Sequence, residues 1–120
     1  MSMILASAAD TGNQVQELIR ARDKQNQGAL DQYISTLKQA AAGNQAQALY
    51  TLSSAYSYAA EVSIELKDKA KAQSYAEAGI DAMKKAVAEQ PNNAEYHRLL
   101  GELCGVSPDA VAKLRAAGVV

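Results

Sequence analysis

The sequence contains neither phenylalanine nor tryptophan, so six tyrosines supply all of its aromatic side chains. Hydrophobic residues make up 48% of the 120 residues, and alanine provides much of that share. Alanine favours helix and allows two helices to approach closely, whereas the β-branched residues that favour strands are few. A chain of this length can bury roughly 65% of its unfolded surface in one domain. We therefore predict a single all-α domain with a shallow core.

Cysteine, long apolar runs and blocks of one charge are also scarce. Cys104 is the single cysteine, which excludes an internal disulfide and a zinc site made of several cysteines. The 12 basic and 13 acidic residues are interspersed, whereas a nucleic-acid-binding protein needs a basic stripe to contact phosphates. No apolar run approaches the roughly 18 residues of a membrane span. We expect neither nucleic-acid binding nor a membrane span.

The N-terminus, MSMILASAAD, is similar to the end of a secretory signal peptide. An apolar triplet is followed by Ala6-Ser7-Ala8, which has the form of a cleavage site, but a charged start is missing. Either the chain was trimmed from an exported protein, or the similarity is accidental. We expect residues 1–12 to be a flexible lead-in and the rest, 13–120, to be one helical domain. The compartment is then cytoplasmic, or periplasmic or otherwise exported if the similarity is real.

Apolar residues recur every three or four positions through most of residues 13–120, which indicates amphipathic helices joined by short turns. The predicted helices are 13–24, 29–42, 45–66, 69–89, 94–104 and a last one that begins at Pro108 and stops near Gly118. Residues able to cap helix starts are Asn13, Asn44, Asp68 and Ser107. Gly43 is expected to end the second helix in a left-handed conformation. Short connections predict antiparallel hairpins.

The same spacing predicts which residues form the core. The predicted apolar positions are Val15, Leu18 and Ile19; Leu30, Tyr33/Ile34, Leu37 and Ala40/Ala41; Ala48, Leu52, Ala55, Ala59, Val62 and Leu66; Ala72, Tyr75/Ala76, Gly79, Met83 and Ala86/Val87; and Leu99, Leu100 and Leu103.

Residues 79–105 combine small residues, one bulky residue and a proline at fixed offsets. In order, the positions are Gly79 (small), Met83 (bulky), Ala86 (small), Pro91 (turn), His97 (large), Leu100-Gly101 and Cys104 (aromatic position). This pattern, with the link PNNAE, resembles the tetratricopeptide repeat, a helix–turn–helix unit of 34 residues. Small residues let paired helices pack closely, and proline ends a helix so that the chain can fold back.

The resemblance implies antiparallel helical hairpins stacked as a short right-handed solenoid. It covers about one and a half units. An earlier unit can be aligned from Leu52-Ser53 and Tyr56 only if its helices are longer than the standard ones, and residues 13–43 carry no clear signature.

In that family the first helix of each pair lines a concave groove that receives a peptide. The positions that would face such a groove here are Gln47, Tyr50, Ser54, Ser57, Tyr58, Glu95, Arg98 and Glu102. Tyrosine and serine suit a recognition surface, because tyrosine gives contact area at a small entropic cost. The alternative is that Tyr50 and Tyr58 fill the core of a chain that lacks Phe and Trp. The groove also lacks the Lys/Arg clamp with which chaperone-binding members hold a C-terminal carboxylate.

His97 and Cys104 are the main candidates for catalysis, but they lie seven residues apart on one predicted helix. That spacing is about 10.5 Å along the axis, beyond the reach of a hydrogen bond or a shared metal ion. We expect His97 to be a packing residue and Cys104 a small buried hydrophobic residue, and we expect no enzyme activity, metal or cofactor.

Two functions remain. The first is a non-catalytic interaction module that binds a protein or peptide in its groove. The alternative is a structural helical bundle that forms a homodimer through an exposed apolar face.

Overall fold

A computed structural model of the chain describes residues 8–116 and 118. The helices, in chain order, are α1 (Ala8–Asp23), α2 (Gln27–Ala40), α3 (Ala46–Glu65), α4 (Lys69–Glu89), α5 (Ala94–Val106) and α6 (Pro108–Ala116). A short 3₁₀ turn, Ala41–Gly43, follows α2. The part of the chain that is described contains no strand, and the all-α prediction is confirmed for it.

Helices α2 to α5 begin and end within a few residues of their predicted bounds. The start of α1 does not agree with the prediction. This helix begins at Ala8, five residues before the predicted start at Asn13, so residues 8–12 belong to it and not to a flexible lead-in. The remaining part of the predicted lead-in, residues 1–7, lies outside the described residues.

In the described part of the chain, three asparagine or aspartate side chains cap helix starts. Asn26, Asp68 and Asn93 accept a backbone N–H from the residue three positions later, at 3.1 to 3.2 Å. Each cap satisfies one of the N–H groups that a helix start leaves without a partner.

The prediction for the end of α2 is wrong by one residue. Asn44, not Gly43, adopts the left-handed conformation, with φ 56° and ψ 29°. The reason is the 3₁₀ turn, which extends the helical path beyond Ala40 before the chain reverses. Asparagine tolerates the left-handed region because its short side chain can hydrogen-bond locally.

Helix α3 is the centre of the molecule and contacts α1, α2, α4 and α5; α4 also contacts α5, and α5 contacts α6. Small side chains allow several helices to pack against α3. Its completely buried small residues are Ser53, Ala55, Ala59 and Ser63. The odd-numbered helices therefore lie side by side in the order α1, α3, α5.

Helices α3, α4 and α5 pack closely around Gly79 on α4. A Cβ atom added there would lie 3.0 Å from Leu103 Cδ1 and 3.2 Å from Tyr56 Cβ. The Ser53 hydroxyl on α3 donates a hydrogen bond to the Gly79 carbonyl oxygen, at 3.1 Å. The expected role of Gly79 as a site of close helix contact is confirmed.

Most of the predicted core is buried. The confirmed positions are Leu30, Ile34, Leu37, Leu52, Ala55, Ala59, Val62, Ala72, Ala76, Gly79, Met83, Ala86, Leu99, Leu100 and Leu103. Leu18 and Ala41 are also buried, whereas the half-buried positions are Ile19, Tyr33, Ala48, Tyr75 and Val87. Ala40 and Val15 are exposed, Val15 by 36%. Leu66 is an error, because it lies just beyond the end of α3 with 49% of its surface exposed. Within the described range, no helix combines the length and the apolar character needed to cross a membrane.

Candidate functional site

Hydrogen bonds and a shared cavity connect the residues predicted to line a groove. We call the surface formed by α1, α3 and α5 around Tyr50, Tyr58 and Arg98 the odd-helix face. Its residues from α3 recur at helical spacing, which places them along one side of that helix.

A hydrogen-bonded cluster connects α3 to α5 on this face. The Tyr50 hydroxyl donates to Glu95 Oε2 at 2.6 Å, and the Ser57 hydroxyl donates to Glu102 Oε1 at 3.4 Å. Arg98 donates to both oxygens of Glu95 and to Glu102 Oε2, each at 2.7 Å. The cluster therefore joins all three charged residues predicted on α5 with two predicted residues of α3.

The cluster changes the acidity of its members. Hydrogen bonds from Arg98 and then from Tyr50 lower the pKa of Glu95 to about 2, because both stabilise the carboxylate. Burial, followed by the bond to Glu95, raises the pKa of Tyr50 above its ordinary value. Glu95 is thus ionised and Tyr50 neutral at pH 7, so the hydroxyl keeps the proton that it donates.

A small, partly open cavity of about 100 Å³ lies between α1 and α3, next to this cluster. The residues that line it are Val15, Leu18, Gln47, Tyr50, Thr51, Ser54 and Tyr58. Four of the eight predicted site residues thus border one cavity, and Tyr50 belongs to both the cavity and the cluster.

The sequence left open whether Tyr50 and Tyr58 face a groove or fill the core. Both side chains are half-buried, which is intermediate between the two alternatives. The Tyr50 ring stacks on the ring of Tyr96, with centroids 5.1 Å apart. The Arg22 guanidinium lies 4.8 Å above the Tyr58 ring, in the geometry of a cation–π contact. Each ring therefore has one face packed against the protein.

Ser57 differs from the other predicted site residues because it is almost completely buried. It contacts Glu102 from beneath the cluster and offers little surface to a ligand. By contrast, Gln47, Glu95, Arg98 and Glu102 are exposed.

His97 is not the packing residue that the sequence predicted. Its side chain is exposed, and its Nε2 atom donates to the carbonyl oxygen of Pro91 at 2.6 Å. The buried stripe of α5 runs instead through Tyr96, Leu99 and Leu103, one helical position away.

Cys104 was predicted to be buried, but it is half-buried at a shallow groove between α5 and α6. Burial raises the pKa of its thiol, which keeps the thiol protonated near neutral pH and weakens it as a nucleophile.

Sequence reasoning missed two side chains of the site, Tyr96 and Arg22. Tyr96 precedes Leu99, Leu100 and Leu103 at helical spacing, so periodicity could have predicted its burial. Arg22 had no such signal, because its contact with Tyr58 depends on α1 lying beside α3.

Among the residues with described positions, no group of three or more histidine, cysteine or carboxylate side chains is arranged to hold a metal ion. No family model, curated protein or solved structure matches the chain. The described part of the chain is an all-α domain of packed helices.

Proposed function

We propose that the protein is a non-catalytic, tetratricopeptide-like helical module that binds a segment of a protein or peptide on its odd-helix face. The observation that carries the proposal is the cavity between α1 and α3, which adjoins the hydrogen-bonded cluster of α5. A binding site needs a concave place for an anchoring side chain and a few fixed polar groups that orient the ligand. Both elements are present on this face.

The order of the helix contacts supports the repeat-like architecture. In a stack of hairpins, each hairpin packs on its neighbours. Sequential helices pair as three hairpins, α1/α2, α3/α4 and α5/α6. Both helices of the first hairpin contact α3, and both helices of the second hairpin contact α5. The first helices of the three hairpins would then form the peptide-binding side.

The cluster supports binding because contacts within the protein orient its polar groups. Arg98 is bonded to two carboxylates, and Tyr50 is bonded to Glu95 and stacked on Tyr96. Contacts of this kind reduce the number of side chains that a ligand must order, which lowers the entropic cost of association.

A selection from a random peptide library tests the proposal. Ser54→Leu fills the cavity from its wall, and Ser74→Leu makes the same change at an exposed position of α4. We expect enriched peptides to lose about tenfold or more in affinity for the Ser54→Leu variant, equivalent to about 1.4 kcal/mol, and to retain affinity for Ser74→Leu. No enrichment, or equal binding to both variants, would contradict the proposal.

Homodimer formation is the second candidate, and one observation favours it. Ile64 and Leu66 are 52% and 49% exposed at the turn from α3 to α4, and Ile64 borders an apolar groove with Ala72, Gly105 and Val106. Exposed apolar surface of this kind can mark a protein contact.

Light scattering at increasing protein concentration separates the two candidates. A dimer mass that Ile64→Lys reduces to a monomer mass supports the homodimer. A monomer throughout the micromolar range rules it out.

A further inference from the structure

The walls of the odd-helix-face cavity indicate which type of side chain it accepts. Leu18, Val15 and the rings of Tyr50 and Tyr58 provide apolar surface. Three of the hydroxyl groups on its wall already donate within the protein: Thr51 to the Gln47 carbonyl at 3.1 Å, Ser54 to the Tyr50 carbonyl at 3.0 Å, and Tyr50 to Glu95. An entering group therefore finds mainly apolar contact, which favours an aliphatic side chain.

The volume of the cavity further limits the type of side chain that it can accept. A cavity of about 150 Å³ is known to hold a benzene ring. The cavity between α1 and α3, at about 100 Å³, is smaller. A branched aliphatic side chain fits this space better than an aromatic one.

Charge is distributed unequally between the odd-numbered and even-numbered helices. α1, α3 and α5 carry seven acidic residues, three arginines and no lysine, a net charge of −4. α2, α4 and α6 carry five acidic residues, six lysines and one arginine, a net charge of +2. The helices that form the odd-helix face therefore attract cations, although the whole chain is almost neutral.

The two arginines on the odd-helix face do not cancel its preference for cations. Arg98 is bound by Glu95 and Glu102, and Arg22 is bound by Asp23 at 3.2 Å and covers the Tyr58 ring. Both guanidinium groups are already paired, so an approaching carboxylate would have to displace a partner. Glu61, which follows Tyr58 by one helical turn, adds a further exposed carboxylate.

We propose that the bound segment carries an aliphatic side chain next to a lysine or arginine, and that acidic segments are excluded. The aliphatic side chain enters the cavity between α1 and α3. The cation lies near Glu61 and the cluster of Glu95, Arg98 and Glu102, in which two carboxylates outnumber one guanidinium. Tyr50 connects the two parts of the site, because its ring lines the cavity and its hydroxyl contacts Glu95. This inference rests on the proposed function and specifies the chemistry of its ligand.

Four pools of short synthetic peptides test the inference. Their central pairs are Leu-Lys, Leu-Glu, Ser-Lys and Ser-Glu, and their flanks are randomised over alanine, glycine and serine. Affinity is measured by chemical-shift titration of the isotopically labelled chain. We expect the Leu-Lys pool to bind most tightly, with about tenfold weaker binding when leucine becomes serine and about fivefold weaker binding when lysine becomes glutamate.

Charge-reversal variants form the matched control. Glu61→Lys should reduce the preference for Leu-Lys over Leu-Glu by about threefold or more, whereas Glu77→Lys, an exposed position on α4, should leave it unchanged. Salt at about 1 M should also reduce the preference, since it screens exposed charges.

The outcomes separate this inference from the proposed function. If Leu-Glu binds as tightly as Leu-Lys and Ser54→Leu abolishes both, the inference is overturned and the binding face stands. If no pool shows binding that Ser54→Leu weakens, both are overturned.

Discussion

Gly79→Ala is the substitution whose effect follows most directly from the packing of α3, α4 and α5. The new methyl group would lie 3.0 and 3.1 Å from the two Cδ atoms of Leu103 and 3.2 Å from Tyr56 Cβ. These distances are shorter than ordinary van der Waals contact, so neighbouring atoms must move by a few tenths of an ångström. Tyr56 Cβ is fixed to the α3 backbone, and Leu103 is completely buried, so neither moves freely.

The magnitude is a balance of three contributions. Alanine is favoured over glycine in a helix by about 1 kcal/mol. A buried methyl group adds roughly 0.8 kcal/mol. Overpacking a tight core costs about 1–3 kcal/mol, and the fixed position of Tyr56 Cβ places this site near the upper end. We expect Gly79→Ala to destabilise the fold by about 1 kcal/mol, which lowers Tm by roughly 4 °C.

Gly101→Ala is the matched control. Gly101 also lies inside a helix, but it is exposed, and among the described residues nothing lies within 4 Å of an added Cβ atom. Only the helix preference remains, so we expect this variant to be stabilised by about 1 kcal/mol. Urea unfolding followed by circular dichroism measures both changes. Equal stabilisation of the two variants would refute the packing described at Gly79.

Three further predictions concern the cluster, the thiol and one helix cap. The low pKa of Glu95, caused first by Arg98, means that its contribution to stability is present above about pH 4.5 and is lost as the pH falls towards 2. The pair is exposed, so the loss should be under about 1 kcal/mol, and Glu95→Gln should remove this part of the acid dependence of unfolding. Cys104 should react with Ellman's reagent more slowly in the folded chain than in urea; equal rates would contradict its burial. Asn93→Ala should destabilise the fold by about 1 kcal/mol by removing the cap of α5, whereas Asn92→Ala should change stability little, as urea midpoints would show.

Local signals made much of the fold predictable. The cap at Asp68 and the proline at 108 mark helix starts through interactions within a few residues. Most core leucines follow from helical spacing alone, but Leu49, which is 3% exposed, was not among the predicted positions. Errors arose where two neighbouring residues compete for one role. Gly43 and Asn44 both tolerate left-handed backbone, and the 3₁₀ turn decided between them.

The site was only partly predictable, because its contacts join distant parts of the chain. Spacing on one helix is enough to place Tyr50, Ser54 and Tyr58 on one side of α3. It does not reveal that Glu95 on α5 accepts the Tyr50 hydroxyl, or that Arg22 on α1 covers Tyr58. Those contacts depend on which helices become neighbours. The wrong prediction for His97 has a related cause, since it came from the repeat alignment and not from the buried stripe of α5.

The location of ligand-induced changes tests the central proposal most directly. A peptide selected on the wild-type chain is titrated into the labelled protein, and the backbone amide shifts are assigned. We expect the largest shifts around Tyr50, Ser54 and Tyr58 on α3, Val15 on α1 and Glu95 on α5. Shifts concentrated on α2 and α4 instead would contradict the assignment of the odd-helix face as the binding surface.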